Sequence, residues 1–159
     1  MKTNYLFPHR FKTLSGILFV LCFLLLIGFF AFNLSETIII KAKVFALMDN
    51  MLFGKEVYFG WVENNIVDEI LVSIIIASGI IYAFSKEEHE DELVASIRLQ
   101  SLAWATIANY AILLFCYIFI YGLPFLNVLM GAMFSQLIIF ILLFRYKIFR
   151  FYNTRHDEE

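Results

Sequence analysis

From Leu99 to Phe144 the chain carries no Asp, Glu, Lys or Arg, and that run excludes most of what a polypeptide of this size can become. A helix in water needs a polar face, whereas roughly 18 or more consecutive charge-free apolar residues read as a membrane span. At 1.5 Å per residue the run is far too long for one crossing of about 30 Å. Its middle reads YGLPF, where Gly122 and Pro124 disfavour a continuous helix and suit a tight turn. A helical hairpin is expected, with spans at about 100–121 and 125–144.

Two shorter runs repeat the pattern. Leu14 to Phe32 and Ile70 to Phe84 are also charge-free, which predicts spans at about 14–32 and 66–84. Composition agrees: 62% of the 159 residues are hydrophobic, against about 45–50% in an ordinary soluble domain. Lys2, Arg10 and Lys12 precede the first run as they would in a signal peptide. The run exceeds an h-region of about 7–15 residues, and GFFAFNLSE lacks a small-x-small cleavage site, so an uncleaved anchor is expected.

The positive charges orient the spans, because cytoplasmic segments carry the excess of Lys and Arg. Lys2, Arg10 and Lys12, then Lys86 and Arg98, then Arg145, Lys147, Arg150 and Arg155 fall on one side, against Lys41, Lys43 and Lys55 on the other. The expected architecture is an all-α, integral membrane four-helix bundle in the cell membrane, a single membrane domain over 1–159. Both termini and the acidic segment 85–99 are cytoplasmic in this reading, and the loop 33–65 is external. That loop is apolar for a connector. TIIIKAKVFALM alternates in part around Lys41 and Lys43, and LFGKEVYFGW adds aromatics, so it is expected to fold back on the bundle or lie in the interface. A net charge of −2 gives no footprint for direct nucleic-acid binding. Cys22 and Cys116 sit inside apolar runs without metal-ligand spacing and read as small core residues.

Few polar groups lie at membrane depth. Asn109 and Gln136 have their midpoint at 122.5, at the Gly122-Leu123 turn, so two antiparallel helices would carry them at one level, where they could pair and fix the register. Gly131 and Ser135 form a small-xxx-small step that permits close helix approach. Asp68 and Glu69, at the outer boundary, read as early-turn acids complementing a helix N-terminus, with Asn64 or Asn65 as the N-cap.

The acidic segment FSKEEHEDELVASIRLQ holds Glu87, Glu88, Glu90, Asp91 and Glu92 around His89. Metal spacing fails: there is no HExxH, since position 93 is Leu, and no Glu-x-x-His, since Lys86 stands three before His89. Ser85 followed by Glu88 matches a capping box, so the third helix is expected to start there. Asp91 and Arg98, seven apart, would share a face. His9, His89 and His156 all lie outside the spans, and neither a triad setting nor a phosphate-cradling Gly loop is visible. No cofactor or metal is expected.

ENNIVDEI, FSKEEHEDELVASIRLQSL, ANYAILL and PFLNVLM together resemble a group of small bacterial four-helix membrane proteins of uncharacterised function. The strongest element is Ser85 to Glu87, then Glu90 to Glu92, then Ile97 to Leu99. The resemblance implies genes set beside small helix-turn-helix regulators, and carries no catalytic or ligand residue. The leading expectation is a non-catalytic multi-pass protein in the lipid bilayer. Its Glu87, Glu88, Glu90, Asp91, Glu92 and Arg98 would meet a soluble cytoplasmic partner, such as a basic regulator. The alternative is a small transporter or channel subunit using Asp68, Glu69, Asn109 and Gln136. A membrane enzyme is the third reading. Homo-oligomers are compatible with any of these.

Overall fold

The computed structural model describes residues 6–32, 39–49, 57–88 and 90–156. Lys2, Lys55 and His89 lie outside them, as does the side chain of Arg155. Among the described residues the elements are α1 (Arg10–Ala31), β1 (Lys41–Asp49), β2 (Val57–Asn65), α2 (Val67–Ala83), α3 (Glu92–Phe119) and α4 (Leu123–His156). They fall into two compact units, residues 1–16 with 79–159, and residues 17–78. Three helices, α1, α3 and α4, are long and apolar enough to cross a membrane. At 17 residues, or about 25 Å, α2 stands at the lower limit of a span.

The expectation of an all-α chain is corrected in the unit spanning 17–78. Strands β1 and β2 pair antiparallel, with Lys41 opposite Asn65 and Asp49 opposite Val57. The reason is written around Lys41 and Lys43: alternation at period two is a strand pattern, and Val, Phe, Tyr and Trp suit a pleated surface. Phe45 lies opposite Trp61 and their rings meet edge to face at 5.7 Å, the cross-strand contact that holds a sheet together. Phe59 has φ 51°, and the ladder skips Leu47 against Phe59. Where β2 ends, Asn65 Oδ1 accepts from the amides of Val67 (3.4 Å) and Ile40 (3.1 Å), so one side chain caps α2 and fastens the start of β1.

In the other unit, α3 and α4 form the expected hairpin. The turn is short: the Ile120 amide still donates to Cys116 O at 2.8 Å, and the Phe125 amide donates to Gly122 O at 3.1 Å. Between them Gly122 takes φ 74°, a conformation that costs glycine nothing. Both helices outrun their expected spans. At 28 and 34 residues they reach about 42 and 51 Å. The core of the unit gathers Ala83, Val94, Ala105, Phe140, Phe144 and Ile148, with the Phe84 and Phe140 rings 5.4 Å apart.

The polarity of α3 is inverted relative to a helix in water. Its buried positions are Val94, Arg98, Ser101, Ala105 and Asn109, spaced by three and four along one face. Its exposed side chains include Leu99, Trp104, Ile107, Leu114, Phe115 and Phe119. The buried face thus holds Arg98, Ser101 and Asn109, while large apolar side chains cover most of the exposed face beyond Gln100.

Candidate functional site

In the unit containing α3 and α4 the most deeply buried charge is Arg98, which is 3% exposed. Glu90 grips it with both oxygens, Arg98 Nη1 to Oε1 at 2.6 Å and Nη2 to Oε2 at 3.0 Å. Nη2 also donates to Ser85 O at 3.3 Å. The guanidinium carbon stands 4.9 Å from the centroid of the Phe144 ring, a cation–π contact strengthened by desolvation. Paired on its fork and stacked on its face, Arg98 ties α3, α4 and the connector from α2 together.

A second ion pair joins the N-terminal segment to the same connector. Lys12 on α1, itself buried, pairs with Glu87. Just before it, Phe7 and Ser85 form a parallel bridge, with the Phe7 amide donating to Phe84 O and the Lys86 amide to Phe7 O, each at 3.0 Å. The Glu87 amide donates to Glu90 Oε2 at 2.9 Å. The two carboxylates of the two ion pairs are thus linked through one backbone group.

α4 contributes a third basic residue. Arg145 donates from Nε and Nη2 to Tyr82 Oη at 2.8 and 2.6 Å. The Tyr82 ring lies on Gly16, where an added Cβ would fall 2.8 Å from its Cε2. Lys147 Nζ donates to Gln100 Oε1 at 3.0 Å. The segments grouped by charge in the sequence, 10–12, 86–98 and 145–147, therefore meet in one unit.

Among the residues expected to contact a partner, Glu90 pairs with Arg98 and Glu87 with Lys12, and a buried guanidinium without such a carboxylate would carry a large desolvation cost. Glu88, Asp91 and Glu92 are exposed. The helix start is corrected. Asp91, not Ser85, is the N-cap of α3, accepting from the Val94 amide at 2.7 Å, while Ser85 Oγ turns back to Ile81 O. An extended connector over 85–90 is what lets Glu90 reach back to Arg98, and a helix begun at Ser85 would forbid it.

Further along the hairpin, Asn109 and Gln136 lie at neighbouring levels, each bonded across to another residue. Ser135 Oγ donates to Asn109 Oδ1, and Gln136 Nε2 donates to Thr106 Oγ1 at 3.3 Å. The Asn109–Ser135 and Thr106–Gln136 bonds have their midpoints at 122 and 121, so the turn centres before 122.5 and Ser135 rather than Gln136 comes opposite Asn109. Gly131 is open to space, with nothing within 4 Å of an added Cβ. In the other unit, Asp68 and Glu69 occupy the first turn of α2 as expected, and Asn64 Nδ2 donates to Glu69 Oε1 at 2.7 Å.

Lys12, Gly16, Tyr82 and Arg145 escaped the sequence reading as site residues. The available signal was positional: Lys12 and Arg145 stand at the ends of charge-free runs. Among the described residues no group of three or more His, Cys, Asp or Glu side chains is placed to hold a metal ion. Three buried side-chain atoms there find no partner: Glu87 Oε1, Arg98 Nε and Ser101 Oγ. Comparisons with protein-family models, with curated proteins and with solved structures each find no match.

Proposed function

We propose that this chain is a non-catalytic, multi-pass membrane protein of four crossings, with the Arg98 cluster at its cytoplasmic end and a soluble protein as its partner there. The observation that carries the membrane reading is the inverted polarity of α3. Lipid tails tolerate Leu, Ile, Phe and Trp on the outside of a helix pair, and helix association in lipid relies on small and polar residues inside. In water, such contiguous apolar surface would far exceed the few hundred Å² usual for a monomer.

The partner surface in this proposal is Glu88, Asp91 and Glu92, held at a fixed position by the ion pairs beneath them. A basic regulator suits these acids, and rim charges of this kind make association sensitive to salt. Kinship with the small bacterial four-helix membrane proteins that the Ser85–Leu99 pattern resembles belongs to the same proposal. The transport reading finds less support, since Asn109 and Gln136 spend their hydrogen bonds inside the hairpin.

The test has two parts. After replacement of Cys22 and Cys116, single cysteines at Phe7, Glu88 and Asn153 should be labelled by a membrane-impermeant reagent only from the cytoplasmic face, and one at Lys43 only from outside. Crosslinked pull-down from native membranes should then recover a basic protein that is lost with E88K/D91K/E92K. Labelling of Glu88 and Lys43 from the same face, or recovery unchanged by the triple reversal, would refute the corresponding part.

A further inference from the structure

An open cavity of about 400 Å³ adjoins the second ion pair. Its lining includes the basic residues His9, Lys12 and Arg145, the acids Glu87 and Glu88, and Tyr82. Two features mark it as a place for a ligand with charge of both signs. Glu87, whose side chain is 10% exposed, keeps Oε1 buried and without a partner while Oε2 serves Lys12, and a buried carboxylate oxygen left unpaired is a group that a ligand or water must satisfy. Arg145 donates two bonds to Tyr82 Oη, which leaves the rest of its five-donor fork for an anion.

The opposing charges select the ligand. A purely anionic group would satisfy Lys12 and Arg145 and be repelled by Glu87 and Glu88, and a simple cation would meet the reverse. A phosphate with an ammonium two carbons away meets both pairs at once. Apolar surface lies close by: Leu142, three before Arg145 on the same side of α4, is 63% exposed. Acyl chains attached to the phosphate would have a wall to lie on.

We infer that this cavity seats the headgroup of a zwitterionic phospholipid of the phosphatidylethanolamine class, its phosphate on Lys12 and Arg145 and its ammonium on Glu87 and Glu88. The assignment rests on the membrane reading above and deepens it, since basic pockets between spanning helices at the cytoplasmic face suit lipid headgroups. Tyr82 aims Arg145, and Gly16 leaves room for Tyr82.

The full chain, extracted in mild detergent, is offered equal amounts of phosphatidylethanolamine and phosphatidylglycerol with identical acyl chains, and retained lipid is counted by native mass spectrometry. Phosphatidylethanolamine should be retained preferentially. Arg145→Gln should lower retention of both lipids by about fivefold, the order expected for loss of one charged contact. Glu88→Gln, on an exposed side chain whose loss leaves the fold intact, should abolish the preference alone. Lys147→Gln removes the same charge outside the cavity and should change neither. Equal retention of the two lipids by the unaltered chain, or a preference that survives Glu88→Gln, overturns the inference. Displacement of the lipid by equimolar water-soluble phosphoethanolamine overturns the lipid as the source. Release of the protein from membranes by alkaline carbonate would instead refute the membrane reading, so the two failures are distinguishable.

Discussion

Arg98 and Glu90, eight residues apart, meet through two parallel hydrogen bonds of 2.6 and 3.0 Å, although the helix that carries Arg98 begins two residues after Glu90. The pair therefore measures how the connector folds back on α3. Removing one member strands the other: Glu90→Gln should destabilise the protein by about 3–5 kcal/mol, as for other broken buried pairs. Replacing both, Arg98→Met with Glu90→Leu, should cost less than Glu90→Gln alone. Thermal unfolding in detergent reads both outcomes, and a double variant less stable than the single would contradict the assignment.

The start of α3 separates two capping residues. Asp91→Ala should cost about 1 kcal/mol, the usual loss for an N-cap, and should speed hydrogen exchange at the Val94 amide. Ser85→Ala should leave that amide protected, because Ser85 Oγ bonds to Ile81 O. Exchange at Val94 that responds to Ser85 and not to Asp91 would restore the capping box.

Within the hairpin, a double-mutant cycle can identify the polar partners. Asn109→Ala with Ser135→Ala should show coupling of about 0.6 kcal/mol, typical of a membrane side-chain bond. Asn109→Ala with Gln136→Ala should be additive, since these two bond elsewhere. Coupling confined to the second pair would sink the arrangement.

Gly16 and Gly28 lie on the same helix and should respond oppositely to alanine. A methyl group at Gly16 meets Tyr82 at 2.8 Å, and one at Gly28 meets nothing within 4 Å. Gly16→Ala should cost about 1–3 kcal/mol through overpacking and should shift Tyr82 away from Arg145. Gly28→Ala should be neutral or stabilising by up to about 1 kcal/mol, the helix preference of alanine over glycine. Thermal unfolding of the two variants side by side decides the point.

The sequence made some of this legible for identifiable reasons. The hairpin of α3 and α4 could be read because the absence of charge demanded a turn, and only Gly122 and Pro124 offered one. Charge sorting put segments 10–12, 86–98 and 145–147 on one side of the expected bilayer, and their meeting in one unit could not be read from it. The start of α3 could not be read, because Ser85 and Asp91 are both good caps. The choice between them depends on Glu90 reaching Arg98, a contact that exists only after folding. Strands β1 and β2 were hidden by their own apolarity, which suggested a membrane interface more strongly than its alternation suggested a sheet. Gln136 was placed opposite Asn109 by taking the turn centre as 122.5, and the bonds of the hairpin centre it between 121 and 122, enough to put Ser135 in that place.

The amide of Glu87, donating to the carboxylate that holds Arg98, has a consequence for how this region comes apart. Lys12 and Arg98 are bound to neighbouring points on one short stretch of chain, so neither clasp opens without loosening the other. A disturbance at the N-terminal segment is then felt at the interface of α3 and α4, and the region melts as one cooperative latch rather than as two independent hooks.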